Sequence, residues 1–382
     1  MDNTIAVRME NITKTFGSTV ANKNACLDVH KGEILSLLGE NGSGKTTLMN
    51  MLSGIYFPDS GDIYIGGEKV TIASPKDAFD LGIGMIHQHF KLIDVLTAAE
   101  NVVLGLHEKG KYSLKQISVR VADICKKYGF AIDPMKKVYD MSVSEKQTLE
   151  IIKVLYRGAN ILILDEPTAV LTPQETEKLF EVIRNMKKDG KSVIIITHKL
   201  HEVLAVSDRV AVLRKGETIG SVPTAEATEL SLTEMMVGKK VELDIDRPEP
   251  QNVKKRLEVK HVSCYSREGV KLLDDVSFEA YSGEILGIAG IAGSGQKELL
   301  EAISGLQPVT SESEILYFDP QSDAPMSLIG KSVKAIRNLG VSLSFVPEDR
   351  LGMGLVGSMG MTENMMLKSY TDGFPFFTDK RS

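Results

Sequence analysis

Residues 34–53 read ILSLLGENGSGKTTLMNMLS: an apolar run, a glycine-rich turn and a stretch with helix-forming composition. Within this segment, Gly39–Thr46 matches GxxxxGK[ST] in full, and few local patterns restrict a fold as tightly. Ile34–Leu38 shows no polar alternation. It reads as a strand buried on both faces of a parallel sheet, and Thr47–Ser53 reads as the helix that must follow. Gly39, Gly42 and Gly44 let successive backbone N–H groups turn toward one anion. The helix N-terminus adds the positive end of its dipole. Glu40, Asn41, Ser43 and Thr47 complete the turn, Lys45 supplies a point charge for the outer phosphates, and the Thr46 hydroxyl is placed to reach Mg2+. The expected ligands are ATP and Mg2+.

Two further unalternating runs, Ile161–Leu164 and Val193–Thr197, read as neighbouring parallel strands. The first ends in Asp165 and Glu166. Strands leaving the C-terminal edge of such a sheet bring their last residues beside the phosphate loop. Asp165 is then expected to hold Mg2+ through water, and Glu166 to polarise an attacking water. The second run ends in His198, placed to contact the γ-phosphate and align Glu166 with the water. Gln88 follows another predicted strand and is expected to reach Mg2+ or the water, with His87 and His89 as solvated loop neighbours. Between the strands lie amphipathic helices. One, Thr172–Asp189, opens Thr-Pro-Gln-Glu, which combines a cap, a first-turn proline and first-turn acid.

The chain also repeats itself. GEILSLLGENGSGKTTLMNMLSGI (Gly32–Ile55) aligns without gaps with GEILGIAGIAGSGQKELLEAISGL (Gly283–Leu306), and about half the positions are identical. The flanks Val7–Phe16 and Leu81–Gln88 correspond to Leu257–Tyr265 and Leu339–Glu348. A repeat this long indicates duplicated domains rather than solenoid units. The expected organisation is a first domain over 1–240, a linker over 241–256 that includes the charged, proline-containing stretch from Asp244 to Arg256, and a second, cut-short copy over 257–382.

The net charge of −6 and pI near 5.8 leave no whole-protein basic field for nucleic acid. Cys26, Cys125 and Cys264 have no CxxC spacing and read as buried free thiols in a reducing compartment. No apolar run approaches the roughly 20 residues of a membrane span, and Met1–Thr4 does not open a signal peptide. The chain is expected to stay in the cytoplasm, with any membrane role coming through a partner.

These motifs in this order resemble the nucleotide-binding domain of ABC transporters: Gly39–Thr47 as Walker A, Gln88 as the Q-loop, Asp165 and Glu166 as Walker B, Val170–Thr172 at the D-loop and His198 as the switch histidine. The tandem arrangement with a degenerate second loop is similar to the ATP-binding subunits of simple-sugar importers. Leu155–Glu175 resembles the nucleoside-importer branch, which works with a lipoprotein binding component. The resemblance implies an α/β P-loop NTPase fold with a parallel-sheet core and a helical subdomain, duplicated, with the second copy truncated. It further implies Phe16 as the adenine-stacking aromatic and Ser142 as the signature serine facing the γ-phosphate. The activity implied is ATP hydrolysis coupled to uptake of a nucleoside or simple sugar. The location implied is the cytoplasmic face of the bacterial cell membrane, against two transmembrane permease subunits, with residues Phe90–Val95 contacting a coupling helix. Domains of this family pair head to tail.

Two departures stand out. The signature position reads Met141-Ser142-Val143-Ser144-Glu145, with Ser144 where a glycine is usual and a Glu145 carboxylate opposed to polyphosphate. In the second loop Gln296 replaces the lysine, Glu298 stands where Thr47 stands, and Lys297 falls at the Thr46 position. One active and one degenerate composite site are therefore expected in a full assembly. Two alternatives stand beside this reading. One is a protein that binds nucleotide without hydrolysing it, as a fragment or a regulator; the other is a ribosome-acting tandem protein, disfavoured by the short linker.

Overall fold

The structure, a computed structural model, describes residues 5–87, 90–106, 113–169, 171–240, 249–266, 268–290, 293–341, 346 and 354–367. The chain divides into two compact units, 1–245 and 246–382.

Unit one opens with β1 (Ile5–Phe16) and β2 (Thr19–His30), a long antiparallel pair, and enters its core at β3 (Ile34–Leu38). The glycine-rich turn leads into α1 (Lys45–Leu52). β4 (Ser60–Ile65) and β5 (Glu68–Val70) extend the first sheet, and α2 (Pro75–Asp80) crosses to β6 (Ile83–Ile86). A helical block follows, comprising α3 (Ala98–Val103), α4 (Leu114–Tyr128) and α5 (Val143–Tyr156). The chain then alternates through β7 (Ile161–Asp165), α6 (Pro173–Lys188), β8 (Ser192–Thr197) and α7 (Leu200–Val206). It closes with β9 (Arg209–Arg214), β10 (Glu217–Pro223) and α8 (Glu229–Val237).

The strands form two sheets, ordered β2-β1-β4-β5 and β10-β9-β3-β8-β7-β6. Within the second, β9, β3, β8, β7 and β6 are parallel. Every residue of β3, β7 and β8 is buried, as their unbroken apolar runs require. One face packs on α1 and the first sheet through Leu48, Met49 and Leu52; the other packs on α5 and α6 through Ile151, Phe180 and Ile183. Burying each such side chain contributes about 1.5–3 kcal/mol. The helical block has its own core around Val102, Val121, Leu149 and Ile152.

Helix starts are set by local chemistry. Thr172 caps α6 and closes a reciprocal capping box with Glu175, followed by Pro173. The same Ser/Thr-x-x-Glu box opens α3 at Thr97–Glu100 and α5 at Ser142–Glu145. Cys125 and Cys264 are buried, but Cys26 is exposed, contrary to the expectation for it. In β2 the buried residues Ala25, Leu27 and Val29 alternate with Cys26 and Asp28, so the strand period puts this thiol on the outer face.

Unit two contains β11 (Lys255–Tyr265), β12 (Lys271–Tyr281), α9 (Gln296–Ile303), β13 (Glu314–Phe318), β14 (Pro325–Ser327), α10 (Val333–Asn338) and α11 (Met361–Met366). Its sheet runs β12-β11-β13-β14 around Val259, Cys264, Leu299, Ile315 and Ile336. β11 already includes Lys255 and Arg256. Residues 284–290, which align with the β3 segment, form no strand, and Ile285 is 92% exposed.

Gly84 in β6 faces α5 at very short range. A Cβ there would lie 2.1 Å from Val154 Cγ1 and 3.2 Å from the Ala159 Cβ. Gly84→Ala is expected to destabilise unit one by about 1–3 kcal/mol through overpacking. Thermal unfolding of the variant checks this, and an unchanged midpoint would show that α5 yields without cost.

Candidate active site

The parallel register assembles the site. Leu38 pairs with Thr197 and Asp165 with Ile196, so the residues that follow the three strand ends emerge together. They are Gly39, Glu166 and His198. A cavity of about 390 Å³ opens there, lined by Asn41, Gly42 and residues 44–47 of the loop together with Asp165, Glu166 and residues 19–21 of β2. A larger cavity, about 1040 Å³, lies at the opposite ends of the strands beside Ile5, Lys31, Gly66 and Gly190. It is remote from these side chains, and volume alone does not make it the site.

The loop is shaped for close backbone approach. Gly44 sits at φ +96, and a Cβ there would meet the Ala21 carbonyl oxygen at 2.4 Å. At Gly39 a Cβ would lie 2.2 Å from the Leu213 carbonyl oxygen. Gly44 caps α1 without a side-chain bond, which leaves the first N–H groups of the helix facing the cavity mouth. The buried Ser43 hydroxyl has no hydrogen-bond partner among the described residues. The N–H groups of the loop and of the first helical turn form a cradle of donors for an anion.

Lys45 is 6% exposed and donates from Nζ to the carbonyl oxygens of Gly39 at 2.8 Å and Glu40 at 2.9 Å. Burial pulls its pKa down, opposed by Glu166, Asp165 and Glu40. Asp165 is pushed up by burial, against the Thr46 hydroxyl bond and the Lys45 charge. Asp165 and Thr46 thus present adjoining oxygen donors. Among the described residues there is no cluster of three or more His, Cys, Asp or Glu side chains fit to hold a metal. Two oxygen donors suit Mg2+, which keeps several waters and binds through one or two protein groups plus phosphate.

Glu166 occupies left-handed backbone, φ +46, while its N–H continues the ladder to the Ile196 carbonyl at 2.9 Å. For a residue with a Cβ this conformation costs on the order of 1–3 kcal/mol. It turns the carboxylate into hydrogen-bond contact with His198, Nδ1 to Oε1, at 2.9 Å. Gln88 and His89 lie outside the described residues, as does Val170. His87 is half-buried rather than solvated, and burial lowers its pKa.

Phe16 stands at the end of β1 and is 43% exposed. Its ring meets Tyr56 edge-on, centroids 5.1 Å apart, and the Lys14 ammonium lies 5.6 Å from its centre. Asp59 fixes this corner by accepting from Lys14 Nζ, Thr15 N and the Thr15 hydroxyl at 2.6–2.7 Å, and those bonds hold its carboxyl down at about 2. The family resemblance points to Phe16; no local sequence signal points to Tyr56, Lys14 and Asp59, which the structure places around it.

Ser142 is not in the cavity. It caps α5 in the helical block and bonds the Glu145 N–H at 3.2 Å. The Glu145 carboxylate does not stand as an unopposed charge. Lys136 Nζ bonds both its oxygens, at 2.7 and 2.8 Å, and holds its pKa down. In unit two the loop glycine Gly295 has φ +94, close to Gly44, and a Cβ on Gly290 would lie 2.2 Å from Gln296 Nε2. The neutral amide therefore folds onto the loop as Lys45 does in unit one, while Lys297 lies 3.8 Å from Glu301 in an ion pair along α9.

Residues 22–169 match the family model described as ABC transporter. A nucleoside import ATP-binding protein of Lactococcus lactis subsp. cremoris is 42% identical over 373 residues, 97% of this chain and 72% of that protein. A guanosine import ATP-binding protein of Bacillus subtilis is also 42% identical, covering 95% and 70%. The chain belongs to the ATP-binding proteins of ABC transporters. The glucose import ATP-binding protein of Haloferax volcanii is 41% identical, covering 96% of this chain and 70% of that one. Among solved structures, a dimeric bacterial ABC transporter cassette aligns at 28% identity and TM-score 0.52, over 57% of this chain and 98% of that one. The chain is thus an ATPase of the ABC class, with ATP and Mg2+ as its ligands. Among the described residues no helix is long and apolar enough to cross a membrane.

Two outcomes are expected of this ABC protein. Lys45→Ala should weaken triphosphate binding by about 1.5–3 kcal/mol, the range for a charge-assisted contact, in equilibrium titration with a fluorescent ATP analogue. Asp165→Asn should raise the melting temperature of the nucleotide-free protein near neutral pH. The raised pKa means that ionised Asp165 opposes folding above that pKa, and the neutral amide removes the opposition. The same variant should lose the further rise in melting temperature that Mg2+ adds to ATP.

Proposed function

We propose that this chain couples ATP hydrolysis in unit one to uptake of a nucleoside through a membrane permease. The observation that carries the reading is the Glu166–His198 contact at the mouth of the Lys45 loop. In this reading the loop N–H groups and Lys45 bind the phosphates, and Phe16, braced by Tyr56, carries the base. Thr46 and Asp165 would hold Mg2+, which would neutralise charge on the phosphates. Glu166 accepts a proton from the attacking water through its carboxylate, while His198, bonded to Glu166 through Nδ1, keeps that carboxylate oriented. Gln88 is assigned to the same water or metal on sequence grounds. Ser142 is presented from the helical block to the triphosphate of a partner cassette.

Nucleoside is preferred as the solute because two relatives at 42% identity are named for nucleoside and guanosine import. Import of a simple sugar is the second reading, favoured by the glucose importer at 41%. The permease pair, a solute-binding lipoprotein and a position at the cytoplasmic face of the cell membrane belong to the same proposal. So does a duplicated origin for unit two, supported by the shared strand order β2-β1-β4-β5 and β12-β11-β13-β14. On this view unit two is the N-terminal part of a second cassette whose loop, with Gln296 and Glu298, holds triphosphate weakly.

Two measurements test the proposal. Glu166→Gln should lower the steady-state rate by about 100-fold or more while the protein still binds ATP; retained turnover would remove Glu166 from its role. Cells lacking the gene should lose uptake of labelled nucleoside and keep uptake of glucose and ribose. The reverse pattern would select the sugar reading.

A further inference from the structure

A second polar cluster joins residues that follow Glu166 and His198 in the chain, and none of the roles above uses it. Thr168, two residues past Glu166, donates its hydroxyl to Glu202 Oε2 at 2.6 Å, with both side chains buried. Lys199, adjacent to His198, donates from Nζ to Glu202 Oε1 at 3.0 Å, to the Thr168 carbonyl at 3.1 Å and to the Thr168 hydroxyl oxygen at 3.2 Å. Glu202 is 5% exposed and sits in the first turn of α7. A carboxylate at that depth persists only where it is paired and hydrogen-bonded, and here both of its oxygens are engaged.

The cluster joins two turns that are separate in sequence. One follows β7 and carries Glu166 at φ +46; the other follows β8 and carries His198. Backbone bonds hold each turn internally, Ala169 N to Glu166 O at 3.2 Å and Glu202 N to Lys199 O at 3.2 Å. Beyond the ladder bond from Glu166 N to Ile196 O, the Thr168–Glu202–Lys199 triad is, among the described residues, a side-chain link between the two turns in addition to the His198–Glu166 pair. We infer that Thr168, Lys199 and Glu202 are positioning residues for hydrolysis, which clamp the two turns so that His198 and Glu166 keep their contact through turnover. The inference rests on the roles proposed for Glu166 and His198. None of the three residues lines the phosphate-loop cavity, so loss of the triad should act on the rate and not on ATP affinity.

The test uses the full chain and the pair Thr168→Val and Thr168→Ser, which differ in the hydroxyl. Thr168→Val should lower kcat by about 10–100-fold, the scale of a sub-ångström to ångström misplacement of catalytic groups, with ATP affinity within about twofold of wild type. Thr168→Ser should restore most of the rate. Long-range nitrogen–proton NMR of the His198 ring, assigned with His198→Asn, should move in Thr168→Val toward its position in Glu166→Gln and stay in place in Thr168→Ser. Lys199→Met, which leaves the Thr168–Glu202 bond intact, provides a folded reporter if the valine variant unfolds, and should show the same loss of kcat at constant affinity. Unmoved His198 signals in Thr168→Val, equal rates for the valine and serine variants, or parallel losses of affinity and rate in Lys199→Met would overturn the clamp. If Glu166→Gln leaves turnover intact, the assignment of Glu166 fails; if Glu166→Gln is inactive while Thr168→Val is normal, the clamp alone fails.

Discussion

The in-register parallel pairing of β3, β8 and β7 is the constraint on which the rest of the site depends. Three short strands, buried on both faces, share one ladder in which Leu38 stands beside Thr197 and Asp165 beside Ile196. A slip of one residue would turn every side chain of the slipped strand to the opposite face. It would also separate Gly39, Glu166 and His198, which no direct sequence proximity holds together. Apolar packing on α1 on one side and α6 on the other is therefore what aligns the chemistry.

On that frame the charges are arranged with little solvent to screen them. Lys45 is pulled down by burial and Asp165 pushed up, and each is partly restored by the other. Lys45 rests on loop carbonyls at 2.8 and 2.9 Å, so the cation is already lodged within the loop that must receive an anion. At α5 a different solution appears. Glu145 would weaken an anion site by its charge, yet it serves the capping box and is matched by Lys136. A substitution that looks damaging in isolation is compensated locally.

The elements legible in the sequence are those whose signal is local. The unalternating runs gave β3, β7 and β8 almost to the residue, and Thr172-Pro173 marked the start of α6. Lys45, Asp165, Glu166 and His198 follow from strand ends, and the structure gathers them at one edge. The capping boxes at Thr97 and Ser142 were equally local and were passed over. What stayed hidden depends on distant register. Asp59 reaches Lys14 and Thr15 because Ser60 on β4 pairs with Thr13 on β1, a pairing that no local pattern announces. Cys26 was misjudged because thiols favour interiors as a class, whereas the alternation of β2 decided its face. Glu202 stands in the first turn of α7, where an acid is usually solvated, and only its bond to Thr168 in the turn beyond β7 reveals it as an interior residue.

On the role proposed for Glu166, folding and chemistry want different residues at this position. Its left-handed backbone is the conformation that glycine or asparagine adopts most readily, and a side chain with a longer stem is held there by the surrounding ladder. A laboratory selection for heat resistance alone would therefore tend to replace this carboxylate, and on the role proposed for Glu166 its winners would be well-folded ATP binders with little turnover. Ranked by foldability, the position favours the wrong residue. Its identity is intelligible only from the reaction proposed for it.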